Sequence, residues 1–424
     1  MIKILKLKNM LKKNKIFFKK VYLFPYIIYS FITFFVWYKT KFDVTQFIPD
    51  FSFYFPYAFR FWGNYNSEFA IRLIDNIENI YGVLNRGIWQ PAPLYPIVFL
   101  SPLNILGSKI IFAIEGYLVG LGCIFLVKKI LSDFNYEINE KIKIYSLIFF
   151  SISPIMLTNT IALSTNGVFG LFLLIAAAYS RNFLIRTLSL VFASLVRPNF
   201  VILIPIFLIC YFKGLIPRTK KIKLTFFFVF ASYIIIYLLF YKNYPGNVIN
   251  YFLLSSGQGY GSFGEYGSEF LSRTLDLNVK VLESDINLQS IFYILRKPEG
   301  INYIIQLIFL KMNSLLGYNL EGLYETESSS SFWFSKILRT IYYFFFLMPG
   351  FLISLKKSFS ILKNKTSYQN SKINTFILSG FLYVFFSSML IGAPRYLFPV
   401  EIVFIFISIT FWTSSIRISN KVYL

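Results

Sequence analysis

The chain has 424 residues, 56% hydrophobic and only 14% charged, with 52 Phe and 31 Tyr. A soluble domain of this composition would expose large apolar patches, and apolar stretches near twenty residues recur, so the chain reads as a polytopic helical membrane protein. The net charge of +23 is spread over many short connections and forms no basic domain, which argues against nucleic acid as a partner.

Histidine is absent, and the two cysteines, Cys123 and Cys210, lie in apolar runs. His-dependent bases, His–Asp triads and the common zinc constellations are therefore excluded, and a structural disulfide is not expected. Acid–base chemistry falls to a carboxylate, a lysine or a tyrosine.

Eight lysines between Lys3 and Lys20 precede an apolar run from Val21 to Tyr38. This start reads as an uncleaved anchor helix with a cytoplasmic N-terminus. Spans are expected near 21–38, 108–127, 144–162, 165–180, 183–196, 199–212, 224–241, 337–355, 374–391 and 397–415, about ten helices in an all-α fold. Two shorter apolar pieces, 91–106 and 301–316, contain Pro, Lys or Asn and read as re-entrant or interfacial helices.

Charge supports that threading. With both short pieces left non-spanning, Lys128, Lys129, Lys141, Lys143, Arg181, Arg186, Lys213, Arg218, Lys220, Lys221, Lys223, Lys356, Lys357, Lys363, Lys365, Lys372, Arg417 and Lys421 all fall on the cytoplasmic side. Both termini are then cytoplasmic in a plasma (inner) membrane. Five and nine of the 19 carboxylates lie in outer loops 39–90 and 242–336, which concentrates polar chemistry on the extracytoplasmic face. Three regions follow: an N-terminal membrane core, 1–241, with its first outer loop 39–107; an outer region, 242–336; and C-terminal membrane helices, 337–424. No 20–50-residue repeat is visible.

Two arginines break the charge rule. Arg197, between the short runs 183–196 and 199–212, and Arg395, before the last span, fall on the outer face. A charge at membrane depth costs about 2.5–3.5 kcal/mol or more and is usually retained for a partner. Arg197-Pro198 forms the tip of a narrow V.

The outer segments carry further candidates. In the first loop Asp50 precedes Phe51, Phe53, Tyr54, Phe55 and Tyr57. It reads equally as a helix cap beside an aromatic belt or as a partly desolvated general base. Asp43 is the reserve acid. The run from Trp89 to Gly107 holds four prolines and Tyr95 and is either a rigid re-entrant element or a kinked packing helix. Thr165 and Asn166 open a helix on the same face, as caps or as polar groups for a ligand. The glycine-rich stretch from Ser255 to Gly267 follows a membrane helix, so it reads as a flexible linker, not a phosphate cradle.

The order of these pieces resembles the GT-C superfamily of membrane glycosyltransferases that use polyprenyl-phosphate-linked sugars, with protein O-mannosyltransferases and aminoarabinose transferases among its members. Asp50 to Tyr54 matches the acidic D-x-x-x-Y-like run of the first outer loop. Pro93-Leu94-Tyr95-Pro96 matches the P-x-L/Y-Y-P-like element, Arg197-Pro198 the basic turn between two short helices, and Arg395-Tyr396 to Pro399 the R-Y-x-x-P-like turn. Residues 242–390 contribute little. Asn166 stands where many members carry a second carboxylate, a departure that weakens a two-acid metal site.

The resemblance implies an inverting glycosyltransferase acting on the extracytoplasmic face. Arg197 and Arg395 would hold the departing phosphate, Asp50 would accept the proton of the acceptor hydroxyl, and Tyr54, Tyr95, Asn166 and Tyr396 would contact substrate. The donor would be a polyprenyl-phosphate sugar, and the acceptor a glycan, a lipid or a protein. No metal is required; a divalent cation on Asp50 and loop acids would fit as an option. An envelope polysaccharide polymerase or ligase is the alternative enzyme. A transporter or flippase of lipid-linked sugars is the non-enzyme alternative, and it would predict an internal repeat.

Overall fold

The computed structural model describes residues 21–42, 94, 109–134, 139–236, 295–316, 340–363, 371–388 and 397–415. Among them all regular structure is helical, with no strand. Helix α1 is Phe24–Thr40, entered through Pro25 in its first turn, where the missing N–H costs nothing. Helix α2 is Lys109–Ser132. Then come α3 (Glu140–Ser151), α4 (Pro154–Ile161), α5 (Thr165–Ala178) and α6 (Phe183–Val196). A short 3-10 turn, Pro198–Ile202, leads into α7 (Leu203–Phe212), followed by α8 (Lys220–Ile236) and α9 (Pro298–Leu315). The last three are α10 (Met348–Lys363), entered through a π-helical turn at Tyr343–Leu347, α11 (Ser371–Ser388) and α12 (Glu401–Ser415).

The expected continuous span 144–162 is two helices, α3 and α4, bent by 54°. Pro154 has no N–H to continue the ladder and its ring clashes with the preceding turn, so the chain restarts there. Ser153 caps the restart: its Oγ accepts from the N–H groups of Ile155 and Met156 at 3.2 and 3.4 Å.

Helix α2 is the centre of the N-terminal group, packed against α1, α3, α4 and α5. Gly116 and Gly120 give it a small-residue face that lets neighbours approach closely. A Cβ at Gly116 would meet the carbonyl oxygens of Thr160 and Ile161 at 2.6 and 2.7 Å, and one at Gly120 would overlap the Tyr29 ring. The C-terminal group of α10, α11 and α12 docks through α12 on α3 and through α11 on α7. Phe398 is fully buried and stacks near Phe150 of α3, with ring centroids 6.3 Å apart. The outward faces carry exposed Phe31, Phe212, Phe227, Phe309 and Phe359, which suit hydrocarbon better than water.

The basic connections gather at one end through direct contacts. Lys129 lies 3.1 Å from the Tyr179 ring centroid, and Lys372 donates to the Asp133 carbonyl at 3.4 Å. Arg186 donates to the Ser180 and Lys221 carbonyls, and Lys213 to that of Leu362. Helices α5 and α6 run between this basic end and the far end, where Thr165 and Arg197 lie.

Two helices, Ile110–Ser132 and Thr340–Lys363, are long and apolar enough to cross a membrane, and the bent α3–α4 pair makes up to a third. Of the ten expected crossings, those two or three meet that length among the described residues. Thr165–Ala178, Phe183–Val196, Phe200–Phe212 and Glu401–Ser414 are apolar but shorter. The turn at Arg197 also differs from the narrow V expected. Its arms splay: α6 lies along α5 and α8, while α7 lies against α11.

Candidate functional site

The far end of the bundle is organised by the corner between α4 and α5. Leu163 takes a left-handed φ of 46°, which turns the chain sharply into Ser164. Ser164 caps α5, its Oγ accepting from the N–H of Gly167 at 3.0 Å and donating to Asn159 Oδ1 at 2.7 Å. Asn159 is held in turn by its Nδ2 donating to the Ile155 carbonyl at 2.8 Å. Gly167 sits directly on the Asn159 carbonyl, where any Cβ would collide. The corner is thus fixed from both sides, and Thr165 and Asn166 occupy the first two helical positions of α5.

Capping by Ser164 leaves the side chains of Thr165 and Asn166 for another role, and the structure gives them one. Helix α6 ends at Val196 because Pro198 disfavours a helical conformation at the residue before it. Arg197 is extended there (φ −149°, ψ 139°), and its side chain crosses to the start of α5. Its Nε donates to Thr165 Oγ1 at 2.9 Å and its Nη1 to Asn166 Oδ1 at 2.7 Å. Arg197 is 4% exposed, and Thr165 and Asn166 are each 2% exposed.

Both of these acceptors are neutral oxygens, and together they orient the guanidinium. The same point is the positive end of the α5 dipole, worth about 0.3–1 kcal/mol to a nearby anion. The bond to Oδ1 commits the other end of the Asn166 amide, and its Nδ2 is buried with no hydrogen-bond partner. A guanidinium, a helix N-terminus and an orphaned amide donor converge. Their common complement is an anion rich in acceptor oxygens.

Of the expected site residues, the structure brings Arg197 and Asn166 together. Asp50, Tyr54, Tyr95, Arg395 and Tyr396 lie outside the described residues. The chain is described again from Leu397, and Phe398 lies against Gly170, one helical turn along α5 from Asn166. Among the described residues no group of three Cys, Asp or Glu side chains forms a metal-holding cluster; Asp50, the optional ion's expected ligand, is not among them.

Two carboxylates passed over in the sequence reading stand out in space. Glu401 is fully buried, with Oε2 accepting from Ser153 Oγ at 2.6 Å and Oε1 without a partner. Glu115 lies inside the α2 span with a buried, unpartnered Oε2. Both could have been flagged from sequence, because an acid within an apolar run is costly and seldom retained without a purpose. No protein-family model, curated protein or solved structure matches the chain.

Proposed function

We propose that this chain is an inverting membrane glycosyltransferase of the GT-C type, moving a sugar from a polyprenyl-phosphate donor to an acceptor hydroxyl outside the cytoplasm. The observation that carries the reading is the Arg197 guanidinium fixed on Thr165 and Asn166 at the positive end of α5, beside an amide donor that lacks a partner. That arrangement suits a phosphate oxygen. The seat of Phe398 on Gly170, three residues after Arg395, supports assigning the second arginine to the same region.

In the reaction the acceptor oxygen attacks the anomeric carbon from the face opposite the phosphate. The bond between that carbon and the phosphate oxygen breaks, and the hydroxyl proton passes to the Asp50 carboxylate. The polyprenyl phosphate leaves with one more negative charge than it had as a diester. Arg197 and Arg395 stabilise that developing charge, where fixed cations lower the barrier most. Tyr54, Tyr95 and Tyr396 contact donor or acceptor.

The topology belongs to the same reading. The gathered lysines and arginines of the basic end face the cytoplasm, about ten crossings place both termini there, and the Arg197 end opens to the outer leaflet. A lipid-anchored donor then reaches the site from within the bilayer.

The test is transfer by membrane vesicles from radiolabelled polyprenyl-phosphate sugar. Asp50→Asn and Arg197→Ala are expected to insert at wild-type levels and lose transfer. Transfer of whole chains in place of single sugars would move the assignment to an envelope polymerase or ligase. Retained transfer by Arg197→Ala would overturn the reading.

A further inference from the structure

Glu115 stands on the side of α2 that faces α5. The Cβ position of Gly122 lies 3.5 Å from a Leu171 methyl, which aligns those two levels. The contact of Gly116 with the Thr160 and Ile161 carbonyls shows that α2 and α5 run in the same direction. Seven residues back from Gly122, roughly 10 Å along the axis and on nearly the same face, is Glu115. Seven residues back from Leu171 is Ser164, the cap of α5. Glu115 is therefore level with the helix end that carries Thr165 and Asn166.

Its surroundings do not account for it. Glu115 is partly exposed and its buried Oε2 has no hydrogen-bond partner. A carboxylate at a helix N-terminus complements the dipole, yet this one does not bond the terminus it faces. At 100° per residue, Asn166 lies about 140° around α5 from Leu171, on the side toward α6. The α5 terminus thus has an anion-seeking side, with Arg197 and the Asn166 amide donor, and an acceptor-only side, with Glu115.

We infer that Glu115 is a specificity-determining residue that accepts hydrogen bonds from the hydroxyls of the sugar carried by the phosphate. The inference rests on the phosphate assignment of Arg197 made above. A carboxylate oxygen accepts and does not donate, so it repels phosphate and complements hydroxyl. A sugar phosphate laid across the α5 terminus puts its charge beside Arg197 and its hydroxyls beside Glu115.

The test measures the affinity of the purified full chain in nanodiscs for two kinds of probe: polyprenyl phosphate alone, and polyprenyl phosphate carrying glucose, mannose or N-acetylglucosamine. Wild type is expected to bind at least one sugar-bearing probe about tenfold more tightly than the bare phosphate. Glu115→Gln should reduce that ratio to near one without weakening bare-phosphate binding, whereas Arg197→Ala should weaken both. Should Glu115→Gln fail to fold, Glu115→Asp, whose carboxylate is withdrawn by one methylene, must reduce the ratio instead. An unchanged ratio, or a wild type without sugar preference, overturns the role of Glu115 and leaves the phosphate assignment standing. A wild type that binds neither probe overturns both.

Discussion

The hydroxyl of Ser153 donates to Oε2 of Glu401 at 2.6 Å, joining residues 248 positions apart in sequence. Ser153 Oγ also accepts from the N–H groups of Ile155 and Met156, so one atom caps α4 and ties α12 to the break between α3 and α4. Removing it orphans a buried carboxylate and two backbone donors together. Ser153→Ala is therefore expected to destabilise the protein by about 2–4 kcal/mol, the sum of a lost cap and an unsatisfied buried acid. Ser408→Ala, which removes one bond to the Phe346 carbonyl, should cost about 1 kcal/mol. Thermal melts in detergent separate the two; equal shifts would mean that Glu401 does not depend on Ser153.

Close backbone contact between α10 and α12 depends on Gly350. A Cβ there would strike backbone atoms of Phe404, which cannot rotate away. Gly350→Ala should cost about 1–3 kcal/mol through overpacking, seen as reduced yield and a lower melting temperature. Gly122→Ala meets only a Leu171 methyl at 3.5 Å and should leave both unchanged.

Asn166 offers Arg197 a neutral amide oxygen where an acid of the same shape would also fit, and the geometry gives that difference a consequence. An aspartate here would sit at the 2.7 Å position now taken by a neutral oxygen, where its negative charge would bind Arg197 in a charge-assisted bond and repel an arriving phosphate. Asn166→Asp should fold normally and bind polyprenyl phosphate at least tenfold more weakly than wild type, about 1.4 kcal/mol. Equal affinity would show that the charge of Arg197 does not serve an anion.

The Nε and Nη1 bonds of Arg197 diverge to Thr165 and Asn166. A lysine keeps the charge but cannot hold Thr165 and Asn166 in that fork. Arg197→Lys should therefore lose about 1.5–3 kcal/mol of transition-state stabilisation, read as roughly a tenfold to hundredfold fall in transfer rate. A rate within twofold of wild type would reduce the role of Arg197 to charge alone.

Among the described helices the run 183–196 matches α6 to the residue, and two of the basic connections read as sharing a side do meet, through the bond from Lys372 to the Asp133 carbonyl. Hydropathy did not anticipate the break at Ser153-Pro154, because the hydropathy of 144–162 is continuous across it and only the proline signals the restart. Arg197 was conspicuous as a cation between apolar runs, whereas its partners were ambiguous. Whether Thr165 or Ser164 caps α5 depends on a single residue of register. Glu115 and Glu401 were visible as letters, but the unpartnered state of Glu115 Oε2 and Glu401 Oε1 exists only in three dimensions.

The most direct measurement is an experimental structure of the full chain in a lipid nanodisc with polyprenyl phosphate added. The phosphate is expected within hydrogen-bonding distance of the Arg197 guanidinium and of Asn166 Nδ2, with the prenyl chain leaving toward lipid. A phosphate bound elsewhere, with Arg197 and Asn166 unchanged and turned away from it, would contradict this expectation.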